Sequence, residues 1–260
     1  MEQFAAPLSR TSIITTLHTA LEAMPEALAA FLGGSDASGR TDGFSDVDMV
    51  VVVEEGAVEA AFDVVHAALE ELSPIVHRWR LADPTWHGNS QEFLALRDAD
   101  PAHFIDIVVQ GPAGGERFLE TERHGTALVL FDRAGVVAPV PVDRVALKAR
   151  IDDRLAILRE RFPLFQTLVT RAVRRGFVAE AAVAYQDHTY RPLIELLRIR
   201  HCPDRFDYGA RYLDRDLPPE LRAQVEALAL PSTLEEVEAF RARAQALFDS
   251  TLAELPQPGS

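Results

Sequence analysis

The sequence has few of the features that mark secreted or membrane-embedded proteins. Cys202 is the only cysteine, so no disulfide can form within the chain, and disulfides are typical of oxidising compartments. No apolar run approaches the roughly 20 residues that a membrane-spanning helix needs. We therefore predict a cytoplasmic protein that has no membrane partner.

Basic residues are also scarce. Lys148 is the only lysine, and the net charge of the 260 residues is −14. Residues 1–140 hold 22 acidic and 8 basic side chains, so this half of the chain carries the whole net charge. Phosphate backbones need a basic surface, and nucleic acid is therefore not expected as the main partner. An acidic cleft would attract a cationic small molecule, although acidity can also serve solubility alone.

One polar, glycine-rich segment lies between two apolar runs. The first run ends in Leu32-Gly33-Gly34-Ser35, and the second opens with Asp46-Val47-Asp48, with ten residues between Ser35 and Asp46. Backbone N–H groups at a glycine turn and a serine hydroxyl can donate hydrogen bonds to a phosphate. Alternate side chains of a strand share a face, so Asp46 and Asp48 project together and their charges favour a cation between them. Mg²⁺ binds such carboxylates together with substrate phosphates.

This pattern resembles the signature of the DNA polymerase β-like nucleotidyltransferase superfamily. The signature joins an apolar residue and a Gly-Gly/Ser pair to an acidic-apolar-acidic pair roughly a dozen residues later. The resemblance implies that Gly33, Gly34 and Ser35 bind the nucleotide. It further implies that Asp46 and Asp48 bind Mg²⁺ in a two-metal site, with a third carboxylate supplied by a later strand. We add Arg40 and Ser45, from the connecting loop, as nucleotide-binding candidates.

Asp106 is the best candidate for the third carboxylate. It lies inside the apolar strand predicted at 103–110, where a carboxylate is costly unless it is paired or ligated. We predict it as a catalytic residue and metal ligand. A solvent-facing aspartate on an edge strand is the alternative. Glu92, on the strand predicted at 91–97, competes for the same role and is a candidate for acceptor binding.

The hydrophobic pattern of the sequence changes after the proline-rich stretch 136–143. Strand patterns dominate before it, and helical periodicity takes over after it, with helices predicted at 143–161, 163–175, 178–200, 218–229 and 233–254. We predict two domains. Residues 1–140 form an α+β nucleotidyltransferase domain with a mixed sheet flanked by helices, and residues 141–260 form an all-α helical bundle.

Charged residues recur at helical spacing in the second half. Asp187, Arg191, Glu195 and Arg198 are four, four and three residues apart and predict a charged stripe along one helix face. A solvated ion-pair ladder is one interpretation. In the other, Arg191 or Arg198 contacts the nucleotide triphosphate, while Asp187 and Glu195 face the acceptor.

This two-domain layout looks like that of the antibiotic nucleotidyltransferases. The resemblance implies transfer of a nucleoside monophosphate, from ATP or another nucleoside triphosphate, to a hydroxyl of a small, cationic acceptor such as an aminoglycoside, and hence antibiotic resistance. Two alternatives stay open. One is a nucleotidyltransferase that modifies a protein, as in toxin–antitoxin pairs, and the other is a non-catalytic nucleotide-binding regulatory module.

Overall fold

The computed structural model describes residues 8–83, 85–111 and 114–255. The chain divides between Val142 and Asp143 into two units, each with its own internal contacts. This division falls two residues after the boundary that the proline-rich stretch predicts. Within the described residues, no helix has both the length and the apolar character that crossing a membrane requires.

The first unit is built on a six-stranded sheet of order β3-β4-β5-β2-β1-β6. Strands β2 and β5 are parallel, and all other neighbours are antiparallel, so the sheet is mixed. The strands are β1 (Ala27–Leu32), β2 (Val47–Val53), β3 (Ile75–Arg80), β4 (Ser90–Leu96), β5 (Ile105–Gln110) and β6 (Leu128–Asp132). The helices are α1 (Arg10–Ala23), α2 (Gly34–Ser38), α3 (Val58–Leu72) and α4 (Thr121–His124).

The two faces of this sheet have different surroundings. One face carries the main core, in which α1 and α3 bury apolar residues such as Leu17 and Phe62 against Met49 and Ile107. Among the residues that the structure describes, the opposite face holds a small buried cluster of Phe31, Val50, Val108 and Leu119. Because strand side chains alternate between faces, Asp48 and Asp106 lie on this second face, two residues before Val50 and Val108.

The second unit is entirely helical within its described residues. Its helices are α5 (Arg144–Arg174), α6 (Val178–Tyr185), α7 (Arg191–His201), α8 (Leu213–Asp216), α9 (Pro219–Glu226) and α10 (Leu234–Ala253). A π-helical turn, Gln186–Tyr190, joins α6 to α7 without a break in the helical path. The predicted fold class, an α+β unit with a mixed sheet followed by an all-α unit, is confirmed.

One helix boundary that the sequence predicts is wrong. We expected two helices separated near Pro163, but α5 runs through that proline for 31 residues. Proline removes one backbone N–H donor and normally kinks or ends a helix. Here buried residues on both sides hold the helix in one piece, and the ring of Phe162 stacks on Phe248 of α10 with centroids 3.6 Å apart.

Candidate active site

The Gly-Gly-Ser turn lies directly beside the second aspartate of the motif. Strand β1 ends at Leu32, and the N–H of Gly33 donates to the backbone oxygen of Asp48 at 2.9 Å. Gly34 has a positive φ of +50°, which glycine adopts at least cost. The hydroxyl of Ser35 is buried and has no hydrogen-bond partner within the described residues. A buried hydroxyl without a partner is a free donor for a ligand.

Three aspartates share the open sheet face. Asp48 of β2 is the register partner of Asp106 of β5, and Asp46 precedes β2 by one residue on the same side. The pKa of Asp48 is raised to about 7, first by burial and then by the charges of Asp46 and Asp106. The pKa of Asp106 is raised to about 6, again mainly by burial. The face therefore concentrates negative charge that is only partly compensated.

Arg10 supports this face from the start of α1, and nothing in the sequence pattern singles it out. Its Nε donates to the backbone oxygen of Asp46 at 2.7 Å, and its guanidinium forms an ion pair with Asp36 of α2. Arg10 also lowers the pKa of Asp48, although the acidic neighbours outweigh it. It ties α1, α2 and the start of β2 together, and so fixes the turn against the aspartates.

A chain of buried polar groups holds Asp106 from the neighbouring strand. Gln91 of β4 donates from Nε2 to both carboxylate oxygens of Asp106, at 2.8 and 2.9 Å. The Oε1 of Gln91 lies 3.0 Å from Nε2 of His87, and the N–H of Asn89 donates to the other ring nitrogen of His87. This arrangement makes His87 Nε2 the donor to Gln91. Sequence analysis missed both Gln91 and His87.

Glu92 lies on the other face of the sheet. Its side chain is completely buried, lies 2.5 Å from Nε2 of His66 of α3 and forms an ion pair with Arg78 of β3. The antiparallel register places Glu92 opposite Ile107, whereas Phe93 is opposite Asp106. Both Glu92 oxygens are bonded on the face opposite Asp106, so we do not carry its predicted acceptor role further. Gln91, and not Glu92, is the residue of β4 that contacts Asp106.

The connecting loop carries the two remaining candidates of the first unit. Ser45 is buried, and its hydroxyl exchanges hydrogen bonds with Asp42, accepting from the backbone N–H at 2.9 Å. This contact shapes the loop before Asp46. Arg40 is exposed at the end of the turn that follows α2, where its N–H donates to the backbone oxygen of Ser35. The nucleotide-binding roles of Arg40 and Ser45 stay predictions.

The charged stripe of the second unit is divided. Arg198 is fully buried and forms an ion pair with Asp216 at 2.8 Å. Its guanidinium also donates to the backbone oxygens of Arg205, Gly209 and Arg211. All of these contacts are internal, which corrects the hypothesis that Arg198 contacts a triphosphate. Its function is to hold the segment 203–216 against α7.

The other three residues of the stripe line a cleft. Asp187, Arg191 and Glu195 border a cavity of about 390 Å³ between α5 and α7, together with Arg154, Arg161 and Phe165. Arg154 binds Glu195 through two hydrogen bonds, and Arg191 lies 3.4 Å from Asp187. The π-helical turn that carries Asp187 borders the same cavity, and such turns are frequent at functional sites.

The donor set of the aspartate face fits a magnesium ion. Carboxylate oxygens are the ligands that Mg²⁺ prefers, and it usually takes one or two of them together with waters and substrate phosphates. Among the described residues, only Glu116, Glu120 and His124 bring three ligand atoms within 4.8 Å of one another. There, however, Glu120 is paired with Arg123 at 3.2 Å, and His124 with Glu116 at 3.1 Å. The carboxylate oxygens of Asp46, Asp48 and Asp106 do not all lie within 4.8 Å of one another, but within the described residues none of these three carboxylates forms an ion pair.

Among known proteins, the chain shows similarity to solved structures alone. No family model matches the chain, and no curated protein matches it. The chain is similar to two solved adenyltransferases. An aminoglycoside 6-adenyltransferase from Bacillus subtilis is 12% identical over 96% of this chain and 94% of its own, with a TM-score of 0.35. A spectinomycin adenyltransferase from Enterococcus faecialis, with ATP and spectinomycin, is 12% identical over 95% and 92%, with a TM-score of 0.36.

A third solved structure, a nucleotidyltransferase-like protein from Exiguobacterium sibiricum, is 12% identical over 93% of this chain and 75% of its own, with a TM-score of 0.33. All three similarities are distant.

Proposed function

We propose that this protein is a Mg²⁺-dependent nucleotidyltransferase. It transfers a nucleoside monophosphate, AMP from ATP, to a hydroxyl of a small acceptor. One observation carries the proposal: Asp48 and Asp106 are register partners on one sheet face beside the Gly33–Ser35 turn, and their pKa values are raised to about 7 and about 6. Paired carboxylates with raised pKa values, next to a hydrogen-bond donor that is available to a phosphate, are expected at a catalytic site.

Asp46 and Asp48 are the residues that would hold Mg²⁺, and Asp106 adds the third carboxylate. When bound, the metal supplies positive charge against the triphosphate and the leaving pyrophosphate. The chain itself contributes position and proton transfer. The acceptor oxygen forms a bond to the α-phosphorus, the bond from this phosphorus to the bridging oxygen breaks, and pyrophosphate leaves.

The hydroxyl proton needs an acceptor, and we assign that role to Asp106. Its pKa of about 6 leaves it ionised near neutral pH and yet more basic than an ordinary aspartate, which suits a general base. Gln91 fixes both oxygens of this carboxylate. A carboxylate held in this way keeps one orientation toward the acceptor.

The nucleotide would contact the motif turn and the loop that follows it. The Ser35 hydroxyl has no partner among described residues and is available to the triphosphate, next to the backbone N–H group of Gly34. The N–H of Gly33 instead holds the turn to Asp48. Arg40 and Ser45 extend this surface. In the second unit, we assign Arg191 to the nucleotide, and Asp187 and Glu195 to the acceptor. The acidic first half of the chain favours an uncharged or cationic acceptor, such as an aminoglycoside.

Incubation with Mg²⁺ and ATP labelled at the α-phosphate tests the proposal directly. The acceptor panel contains aminoglycosides, spectinomycin and lincosamides. We expect a labelled acceptor and free pyrophosphate from the native protein, and neither from the Asp48→Asn variant. Asp63→Asn is the matched control, because Asp63 is an exposed aspartate on α3 and should leave turnover unchanged.

The same assay separates the alternatives. Label that appears on an added protein, and on no small molecule, would identify a protein-modifying enzyme. Binding of MgATP with no transfer to any acceptor would favour the non-catalytic regulatory module. Turnover by Asp48→Asn at the native rate would overturn the assignment of the metal ligands.

A further inference from the structure

A row of four side chains crosses the open sheet face of the first unit. Asp48 of β2 pairs with Asp106 of β5, Asp106 with Phe93 of β4, and Phe93 with Trp79 of β3. Register partners on neighbouring strands place their side chains on the same face. The row therefore begins with two carboxylates and continues, strand by strand, into two aromatic rings at the sheet edge.

A third ring widens the aromatic part. Phe104 precedes β5, and its ring stacks on Phe93 with centroids 5.2 Å apart. Trp79 lies 5.6 Å from Phe93 on the other side. We call Trp79, Phe93 and Phe104 the aromatic shelf. Trp79 is 64% exposed and Phe104 is 41% exposed, so the shelf presents its rings to solvent rather than to the core.

An exposed cluster of this kind differs from single exposed apolar residues, which are common on any surface. Contiguous aromatic surface usually marks a place where a ligand or a partner binds. Here the shelf is continuous with Asp106, which the proposed reaction uses. Neighbouring strands are about 4.8 Å apart, so the shelf extends about 10 Å from Asp106 to Trp79. One or two six-membered rings span that length.

We propose that the aromatic shelf binds a ring of the acceptor and directs its hydroxyl toward Asp106. This inference rests on the proposed function and names its substrate class: a hydroxylated ring compound without negative charge. A flat ring face stacks on Trp79 and Phe104, and the row of carboxylates disfavours an anionic ligand. Two chemistries share this ring face, the C–H face of a saturated aminocyclitol or sugar and the π face of a nucleoside.

Tryptophan fluorescence gives a binding test that needs no turnover. The sequence has two tryptophans, so Trp86→Phe leaves Trp79 as the only one. With the donor site filled by Mg²⁺ and α,β-methylene ATP, the full chain is titrated with spectinomycin, kanamycin and adenosine in separate arms. We expect a saturable change in Trp79 emission from at least one compound. The arm that responds identifies a saturated or an aromatic ring.

Kinetics on the best acceptor then separate binding from chemistry. We expect Trp79→Ala to raise the acceptor KM about 10-fold, the scale of losing one stacked ring, with kcat within about 2-fold of the native value. Trp79→Phe should restore most of the affinity. Phe177→Ala, which removes a half-exposed ring from the second unit, is the matched control and should leave KM unchanged.

The shelf and the proposed function fail separately. Normal turnover with an unchanged KM in Trp79→Ala would overturn the shelf and leave the transferase intact. A saturable Trp79 response without turnover would support the shelf and overturn the transferase. No response from any compound overturns the shelf. A fall from dimer to monomer in Trp79→Ala, measured by light scattering and without a change in KM, would reassign it to contact between two copies of the chain.

Discussion

Gly34 lies directly beneath the carboxylate of Asp48. A β-carbon at residue 34 would fall 1.7 Å from Oδ2 and 2.7 Å from Cγ of Asp48, so no other residue fits without moving this metal-ligand candidate. The turn and the aspartate strand are thus locked together. The glycine of the motif is needed for this close approach as much as for its φ of +50°.

Three glycines of the same segment separate these two requirements. Gly39 has a positive φ but open space around its α-carbon, and Gly33 has an ordinary φ with Asp48 Cβ at 3.9 Å. We expect Gly33→Ala to be tolerated. Gly39→Ala should lose about 1 kcal/mol of stability and keep its turnover. Gly34→Ala should lose turnover at least 100-fold, because the clash displaces Asp48. Equal turnover of Gly34→Ala and Gly39→Ala would show that a β-carbon at residue 34 does not displace Asp48.

The raised pKa of Asp48 makes stability of the metal-free protein depend on pH. The folded-state pKa of about 7 lies above the value of 3.8 for an unperturbed aspartate, so the folded protein binds the proton more tightly. Stability contributed by Asp48 is therefore present below pH 4 and is lost as the pH rises to about 7. Asp48→Asn removes this cost. We expect it to raise the melting temperature by about 5 °C at pH 8 and to change it little at pH 4.

Magnesium should offset the loss of stability that ionised Asp48 causes. At pH 8 the native protein, with Asp48 ionised, should gain thermal stability when Mg²⁺ and α,β-methylene ATP are added. The Asp48→Asn protein should gain little. Scanning calorimetry with and without the metal measures both differences, and an equal gain in the two proteins would exclude Asp48 as a ligand.

Gln91 opposes the effect of burial on the pKa of Asp106. Its two hydrogen bonds stabilise the charged carboxylate and lower a pKa that burial has raised. In Gln91→Leu the pKa of Asp106 should rise further. The acidic limb of kcat/KM against pH should then move to higher pH by roughly one unit. Activity should therefore fall more at pH 6.5 than at pH 8.5.

Gln110→Leu is the matched control for this profile. Gln110 is also buried, but it donates to the backbone oxygen of Glu116 rather than to a carboxylate. We expect a loss of stability without displacement of the acidic limb. An acidic limb that stays in place in Gln91→Leu would show that Asp106 does not control the rate.

Local pattern was enough to predict the strands and the acidic motif of the first unit. Alternation puts Asp46 and Asp48 on one face of their strand, and Asp106 on one face of its own. The parallel pairing of β2 with β5 makes these the same face of the sheet. The sequence pattern does not predict which of Glu92 and its neighbour Gln91 lies beside Asp106, because this depends on the register of β4 against β5. A shift of one residue exchanges the two faces, and this register is fixed by pairing between strands that are distant in sequence.

In the second unit, the sequence pattern likewise does not predict which charged side chain is buried. Arg191 and Arg198 have equivalent positions in the stripe that the sequence predicts, yet Arg191 is exposed and Arg198 is fully buried. The segment 203–216 folds over Arg198 and supplies its carbonyl partners and Asp216. Helical periodicity gives the face on which a side chain lies. It contains no information on which later loop covers that face.

Arg191→Ala tests whether the second unit contacts the nucleotide. Arg191 is 75% exposed, with Asp187 3.4 Å away, so its removal leaves no buried charge and should not unfold the helix. Loss of one charge-assisted phosphate contact costs about 1.5–3 kcal/mol, which predicts a Kd for Mg²⁺ and α,β-methylene ATP at least 10-fold higher. Arg200→Ala, on the same helix and paired with Glu254, is the control and should bind like the native protein. If the two variants bind the nucleotide with equal affinity, the charged residues of this cleft do not contact the nucleotide, and acceptor binding is the one role left for them.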